Sequence, residues 1–255
     1  MRLIQCDRGL MANYLIIAGT SRIGQSVAQD LLKSGNTVFI TGRNKEKTEK
    51  IADELGNIQY EILDATDFDA VNLCFAKVKS LCGELHGVVN CAGSFLLKPA
   101  HLTTREEFDL NINANLTSAF AVVRAAGEHM LNGGSVVLIS SAVAKIGLAS
   151  HEAMAAAKAG VIGLMMSAAA SYAHQNLRFN AVAPGLVETD MSKKITSNPL
   201  TFEASKKMHP LGRIGTPEEA ARLITFLLAE ENSWITGQAI SIDGGISTIQ
   251  PKVKI

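Results

Sequence analysis

The residues best suited to binding chemistry near the start of the chain form a short turn between an apolar run and a helical pattern. The turn reads Ala18-Gly19-Thr20-Ser21-Arg22-Ile23-Gly24. Small residues at such a turn let backbone amides approach a phosphate at the N-terminus of the following helix. A tight turn without any ligand uses the same residue types, so both interpretations stay open on the turn alone.

The charges after the second apolar run bear on which phosphate ligand would bind. This run ends in Thr41-Gly42-Arg43-Asn44, without an acidic residue. In dinucleotide-binding folds, an acid here hydrogen-bonds the ribose 2′-hydroxyl of NAD and repels a 2′-phosphate. Arg43, together with Arg22, would instead pair with a 2′-phosphate, which favours NADP(H) and leaves NAD(H) possible. The alternative is that both arginines are solvated surface residues.

The elements that would position these residues alternate between β-branched runs and longer helical patterns. This alternation predicts a single α/β domain over residues 1–255, with a doubly wound, mostly parallel β-sheet and helices on both faces, a three-layer Rossmann-type fold. We expect the strands to be buried on both faces. The predicted strands are Tyr14–Ala18, Thr37–Thr41, Gln59–Leu63, Gly87–Asn90, Ser135–Ser140, Arg178–Ala183 and Gln238–Ile242. The predicted helices are Gly24–Ser34, Lys45–Leu55, Phe68–Leu81, Thr104–Leu131, Glu152–Ala173 and Pro217–Glu230.

Helix starts and irregular segments complete this outline. Asp67, Thr103 or Thr104, and Thr216 before Pro217 are predicted to cap helices. The segment Glu188–Pro210 is the least regular, and we expect it to form a mobile lid near the ligand. Residues 1–10 precede Met11-Ala12-Asn13 and are expected to be an extension that contributes little to folding.

Five further motifs, taken in order, give the chain a resemblance to the short-chain dehydrogenase/reductase family from about Tyr14 to Gly245. They are Asp64-Ala65-Thr66, Asn90-Cys91-Ala92-Gly93, Asn115-Leu116-Thr117, Asn180-Ala181-Val182-Ala183-Pro184-Gly185 with Val187 and Thr189, and Pro210-Leu211-Gly212-Arg213 leading to Ile242-Asp243-Gly244-Gly245. The resemblance implies a nicotinamide dinucleotide cofactor. It places Asp64 and Ala65 near adenine and the segment 184–189 beside the nicotinamide.

The glycine turn departs from the family pattern TGxxxGxG. Either Ala18 stands at the first glycine, Arg22 at the middle one and Gly24 at the last, or Gly19 is the first glycine and the turn is one residue short. A non-standard loop is expected in both cases.

The resemblance also implies a catalytic group of serine, tyrosine and lysine together with a helix asparagine. Ser141, Lys158 and Asn115 match, but Met154 stands in the tyrosine's place, thirteen residues after Ser141 and four before Lys158. A thioether neither donates a proton nor ionises at useful pH, so the family's usual ketone chemistry is not available at that position. Methionine also suits the plain lining of an apolar pocket.

Three functions remain open. The first is reduction of an activated C=C bond, with His151 as a proton donor; it lies seven residues before Lys158, where related enoyl reductases carry their tyrosine. A histidine at such a junction is also a common surface or capping residue. The second is slow carbonyl reduction using Ser141, Lys158 or a water, since losing a positioned acid costs about 10²–10⁴-fold. The third is dinucleotide binding without turnover, as a sensor or inactive partner subunit.

Composition excludes several other classes. Lys+Arg and Asp+Glu both number 24, so no basic field attracts nucleic acid. The four cysteines show neither a CxxC pair nor a metal-ligand spacing, which predicts no metal site and no disulfide framework. We expect no membrane-spanning run and no signal peptide, and therefore a cytoplasmic location.

Partners are expected to be a small-molecule substrate and further copies of the chain. Leu96, Leu97, Ile146 and Leu148 with Met154 suggest an apolar substrate pocket. Members of the resembled family pair through their long fourth and fifth helices, which implies a homodimer or homotetramer here.

Overall fold

A seven-stranded parallel sheet forms the centre of the molecule. The structure is a computed structural model that describes residues 11–250, so the predicted extension at 1–10 lies outside the described residues. The strands lie in the order β3-β2-β1-β4-β5-β6-β7 and all six neighbouring pairs are parallel. The order reverses between β1 and β4, which creates a topological switch point. The predicted Rossmann-type α/β fold is confirmed.

The strand positions agree with prediction to within a residue or two. They are β1 Asn13–Ile17, β2 Thr37–Gly42, β3 Gln59–Ile62, β4 Gly87–Asn90, β5 Gly134–Ile139, β6 Leu177–Pro184 and β7 Ala239–Ile242. Strands β1, β4 and β6 are buried throughout. The expected burial on both faces is wrong for β3, where Tyr60 and Ile62 are 37% and 38% exposed, and for β7, the edge strand on the opposite side, whose four residues are all partly exposed. Strand β3 lies at one edge of the sheet, and within residues 11–250 only β2 pairs with it.

Helices cover both faces of the sheet. They are α1 Arg22–Lys33, α2 Lys45–Glu54, α3 Phe68–Cys82, α4 Arg105–Ile112, α5 Ser118–His129, α6 Glu152–Tyr172, α7 Lys193–Thr196, α8 Pro199–Met208 and α9 Pro217–Leu228. The predicted continuous helix Thr104–Leu131 is interrupted by a π-helical turn at Asn113–Thr117. Helices α7 and α8 correct the prediction that Glu188–Pro210 is irregular. Asn198 caps α8 and Pro199 occupies its first turn, a start signal that the prediction overlooked.

Side-chain caps explain where the helices begin. Asp67 accepts hydrogen bonds from the amides of Asp69 and Ala70, and Thr104 and Thr216 each form a capping box with a glutamate three residues later. These starts confirm the predictions, with Thr104 rather than Thr103 as the cap. The first helix begins two residues earlier than predicted, because Ser21 caps it through the amide of Gly24.

Two apolar layers hold the helices onto the sheet. One packs α3, α5 and α6 against one face, and the other packs α1 and α9 against the opposite face. Contrary to expectation, the helical stretch Glu152–Gln175 is long and apolar enough to cross a membrane by length and composition alone. In this fold it is a core helix, because Ala157, Val161 and Met165 are completely buried.

Candidate active site

A cleft of about 440 Å³ opens at the carboxyl ends of the central strands, next to the switch point. Ligands of doubly wound sheets bind at this place. Its walls come from the turn after β1 and from the segments that follow β2, β3, β4, β5 and β6. The lining residues include Ala18, Ser21, Arg22, Ile23, Arg43, Asp64, Ala65, Ala92, Gly93, Asn115, Ser141, His151, Met154, Lys158, Pro184, Gly185, Val187 and Thr189, all predicted from the sequence.

Three predicted cofactor residues do not line the cleft. A Cβ on Gly19 would lie 2.7 Å from the Cβ of Ile40, and a Cβ on Gly24 would lie 2.8 Å from the Cα of Gly19. These two glycines therefore allow the turn to pack closely, and their assignment to cofactor binding stays a prediction. Asn90 is buried, and its Oδ1 accepts a hydrogen bond from the amide of Ala92 at 3.0 Å. Asn90 therefore stabilises the turn that follows β4.

The N-terminus of α1 fits an anionic group. The first intrahelical bond runs from the Gln25 amide to the Ser21 carbonyl, and Ser21 Oγ accepts from the Gly24 amide at 3.1 Å. The amides of Arg22 and Ile23 precede these bonds, and both residues line the cleft. Free amides at a helix N-terminus suit a pyrophosphate, so the residues present fit a dinucleotide.

Several positively charged side chains lie at the end of the cleft next to β2. Arg22, Arg43 and Lys47 all line it, and of these Lys47 was not predicted from the sequence. Hydrogen bonds from Thr66 lower the pKa of Asp64, with a smaller contribution from nearby Arg43. Across the cleft, Asp190 lies 3.8 Å from Lys47 Nζ. The local charge at this end is therefore mainly positive.

Lys158 lies on α6 at the floor of the cleft. Its side chain is only 5% exposed, and Nζ donates a hydrogen bond to the carbonyl of Ile139 at 2.8 Å. Burial lowers the pKa of Lys158 to about 8. A Cβ on Gly93 would lie 3.6 Å from Lys158 Nζ and 2.9 Å from Asn115 Oδ1. The glycine therefore keeps space open beside the amine and the amide.

Met154 lies one helical turn before Lys158 and is 5% exposed. Its Sδ is 3.1 Å from Asn111 Nδ2 and 3.9 Å from Asn115 Nδ2. The π-helical turn directs Asn115 inward, where its Oδ1 accepts a hydrogen bond from the amide of Ser94 at 3.3 Å. Ser94 begins the segment Ser94–Pro99, which was expected to form part of the substrate pocket, whereas Asn111 was not predicted as a site residue. The available signal was a second asparagine one helical turn before Asn115.

The chain has three tyrosines, and none of them lines the cleft. Tyr14 belongs to β1 and Tyr60 to the exposed edge strand β3. Tyr172 ends α6, with its ring 5.6 Å from that of Phe179. No phenol is therefore available to the cleft.

Ser141 and His151 provide the remaining protic groups that the sequence predicted. Ser141 follows β5, and its Oγ accepts a hydrogen bond from the amide of Val143 at 3.4 Å. His151 Nδ1 is 2.8 Å from the carbonyl of Ala149, which assigns a proton to Nδ1. The other ring nitrogen, Nε2, takes no part in this contact, and His151 lines the cleft.

Comparisons with known proteins identify a family for this chain. The family model described as "Enoyl-(Acyl carrier protein) reductase" matches residues 17–247. The chain is 36% identical over 240 residues to the 3-oxoacyl-[acyl-carrier-protein] reductase FabG of Thermotoga maritima, covering 91% of this chain and 96% of that protein. It is 34% identical to MabA, a 3-oxoacyl-[acyl-carrier-protein] reductase of Mycobacterium tuberculosis, covering 92% of both proteins.

Solved structures give the same result. A short-chain dehydrogenase/reductase from Mycobacterium ulcerans matches with a TM-score of 0.89 and 33% identity, covering 94% of this chain and 91% of that one. ElxO with NADP bound matches with a TM-score of 0.87 and 34% identity, covering 93% and 99%. The fold and cleft thus define an oxidoreductase that uses a nicotinamide dinucleotide. More specifically, the chain belongs to the short-chain dehydrogenase/reductase family, as its motifs indicated.

Proposed function

We propose that this protein is an NADP(H)-dependent reductase of C=C bonds conjugated to a carbonyl group, with an acyl thioester as the substrate class. The proposal rests on Met154, which the family resemblance aligns with the catalytic tyrosine and which lies in a cleft that none of the three tyrosines lines. Reducing a ketone to an alcohol requires a proton at oxygen. Reducing an activated alkene requires that negative charge on oxygen be stabilised while the proton is delivered to the α-carbon. Hydrogen-bond donors that keep their protons stabilise this negative charge.

The cofactor would lie along the cleft from α1 to α6. The amides of Arg22 and Ile23 would bind its pyrophosphate, Arg43 and Lys47 a 2′-phosphate, and Lys158 the ribose beside the nicotinamide. When bound, the reduced dinucleotide supplies a hydride. The positive charge at the β2 end supports NADP(H) over NAD(H), and ElxO, a relative with NADP bound, supports the same choice.

Arg43→Ala is expected to weaken NADPH binding about tenfold and to leave NADH binding nearly unchanged, because a charge-assisted hydrogen bond to the 2′-phosphate is lost. Calorimetric titration with both nucleotides measures the two dissociation constants. Arg124→Ala is the matched control, since Arg124 is exposed on α5, outside the cleft. A wild-type protein that prefers NADH tenfold, or an Arg43→Ala variant that weakens both nucleotides alike, would contradict the assignment.

The reaction itself is tested with two small thioesters in the presence of NADPH. We expect crotonyl-N-acetylcysteamine to be reduced, and the ketone acetoacetyl-N-acetylcysteamine to react more slowly by about 10²–10⁴-fold, the usual contribution of a positioned acid. NADPH absorbance measures both rates. His151→Ala is expected to slow alkene reduction if His151 supplies the proton at carbon. An unchanged rate removes His151 from the mechanism without affecting the reaction class.

A second candidate function is carbonyl reduction with Ser141, Lys158 or a water as the proton source. The names of FabG and MabA, both 3-oxoacyl-[acyl-carrier-protein] reductases, favour it. Faster turnover of the acetoacetyl thioester than of the crotonyl thioester would support this candidate. Turnover of neither thioester, combined with NADPH binding, would favour a sensor or an inactive partner subunit.

Assembly into a homodimer or homotetramer is part of the proposal. The helices α4, α5 and α6 each carry an exposed large apolar side chain: Leu110, Phe120 and Met166 are 61%, 47% and 57% exposed. Such side chains suit contacts between copies. Light scattering of the purified protein would contradict this assembly if it gave the mass of one chain. The cytoplasmic location stays a prediction.

A further inference from the structure

The oxygen of a buried side-chain amide on α4 lacks a hydrogen-bond partner within residues 11–250. Asn111 is 2% exposed, and its Oδ1 is one of two buried side-chain oxygens or nitrogens without a partner in residues 11–250. Leaving a buried amide oxygen unpaired is costly, and each such group in a folded protein calls for a physical reason. One such reason is a catalytic or ligand-binding role of the side chain that carries the unpaired atom.

The nitrogen of the same amide belongs to a cluster of donors. Asn111 Nδ2 lies 3.1 Å from Met154 Sδ and 3.3 Å from Ser94 Oγ. Asn115 Nδ2 lies 3.9 Å from the same sulfur and 3.2 Å from the same hydroxyl. Two amide nitrogens therefore lie beside a thioether, which is among the weakest hydrogen-bond acceptors in proteins, and both nitrogens also contact the Ser94 hydroxyl. We call Ser94, Asn111 and Asn115 the amide cluster.

Met154 separates part of the amide cluster from the cleft. Met154, Asn115 and Ser94 line the cleft, whereas Asn111 does not. A methionine side chain has three rotatable bonds and changes shape readily. Rotation of Met154 away from the cluster would uncover the Asn111 amide on the side of the cleft that also holds Lys158. A carbonyl or enolate oxygen would then replace a poor acceptor with a strong one.

We propose that the amide cluster is the binding site for the carbonyl oxygen of the substrate, and that Met154 covers this site until the substrate displaces it. This inference rests on the proposed alkene reduction. A bound reduced dinucleotide would supply hydride, with its electron pair, to the β-carbon, and the conjugated electrons would shift to the carbonyl oxygen to give an enolate. Hydrogen bonds from the cluster stabilise the enolate without giving up a proton. Water or His151 then protonates the α-carbon, and the carbonyl bond is restored.

Asn111→Leu tests the site, because leucine has a similar size but no donor. We expect kcat for crotonyl-N-acetylcysteamine to fall about 10–100-fold, somewhat less than the usual loss for a dedicated oxyanion donor, since two donors remain. The melting temperature should stay the same or rise, because the unpaired oxygen is removed. A purely structural asparagine would instead give a lower melting temperature. Asn113→Leu is the matched control, since Asn113 is exposed two residues along the chain and lies outside the cleft.

A second measurement avoids turnover altogether. p-Nitrophenol with NADP⁺ present serves as the probe, and its absorbance reports whether the bound molecule is ionised. The site should lower the apparent pKa of bound p-nitrophenol, and Asn111→Leu should reverse this shift while Asn113→Leu does not. Failure of the wild-type protein to bind the probe, or an equal shift in all three proteins, would overturn the proposal.

The two proposals fail in different ways. If the crotonyl thioester is not reduced but the probe ionises in an Asn111-dependent manner, the oxygen site stands and the proposed reaction is wrong. If the thioester is reduced equally well by the wild-type protein and Asn111→Leu, the oxygen site is wrong and the reaction stands.

Discussion

Met154→Tyr is expected to raise the reduction of acetoacetyl-N-acetylcysteamine by about 10²–10⁴-fold, the contribution typical of a positioned general acid. The new phenol would lie one helical turn from Lys158, on the same face of α6. The positive charge of Lys158 would favour the phenolate, and Ser141 already lines the cleft to orient a substrate oxygen. The NADPH-dependent rate with the acetoacetyl thioester, compared with that of the wild-type protein, measures the gain.

Met154→Phe is the control for this change, because it adds the same ring without the hydroxyl. Ketone reduction should stay at the wild-type level in this variant. An equal gain in both variants would show that ring shape rather than proton donation limits the reaction. If Met154→Tyr binds NADPH normally and shows no gain, the remaining groups are not arranged for carbonyl chemistry.

Lys158→Met is expected to have two opposite effects. NADPH binding should weaken about 10–100-fold, because a charged hydrogen-bond donor to the ribose is lost. The free energy of unfolding at neutral pH should increase, by at most about 3 kcal/mol, because no charge remains to be buried. The loss of the hydrogen bond to the Ile139 carbonyl reduces this gain. Calorimetric titration and urea unfolding measure the two effects.

The pH dependence of stability identifies the source of the second effect. Burial lowers the pKa of Lys158 from 10.5 to about 8, so between these values the unfolded chain binds the extra proton. The contribution of Lys158 to stability therefore rises as pH increases through this window and is constant below it. The stability difference between Lys158→Met and the wild type should shrink from pH 8 to pH 10.5. Lys33→Met, at an exposed lysine on α1, should show no such change.

Much of the fold could be predicted because the strand and helix-capping signals in the sequence agree with the alternation of strands and helices along the chain. Apolar β-branched runs gave the strands, and Thr104 and Thr216 gave helix starts through their capping boxes. The exposure of β3 could not be predicted, because strand order determines which strand lies at the edge. The π-helical turn at Asn113–Thr117 also has no clear sequence signal, since its residues suit an ordinary helix.

The residues of the candidate site could be predicted where their spacing along the sequence is enough to identify them. Met154 and Lys158 were placed by spacing along one helix, and the structure puts both in the cleft. The role of Gly19 as a packing residue depends on its distance from Ile40, which lies on another strand. Asn111 was missed for a related reason. Its importance comes from an unpaired oxygen and a nearby sulfur, and only the folded chain brings these together.

The exposed edge strand β3 has a consequence for colloidal behaviour. Its outer side offers unpaired backbone groups, which in a flat apolar strand would recruit another sheet and seed fibrils. Here Glu61 forms an ion pair with Lys77, and the Tyr60 hydroxyl is bound to Glu49. The strand is also only four residues long. The charged side chains and the short length of β3 therefore disfavour strand pairing between the sheet edges of two molecules, even in concentrated solution.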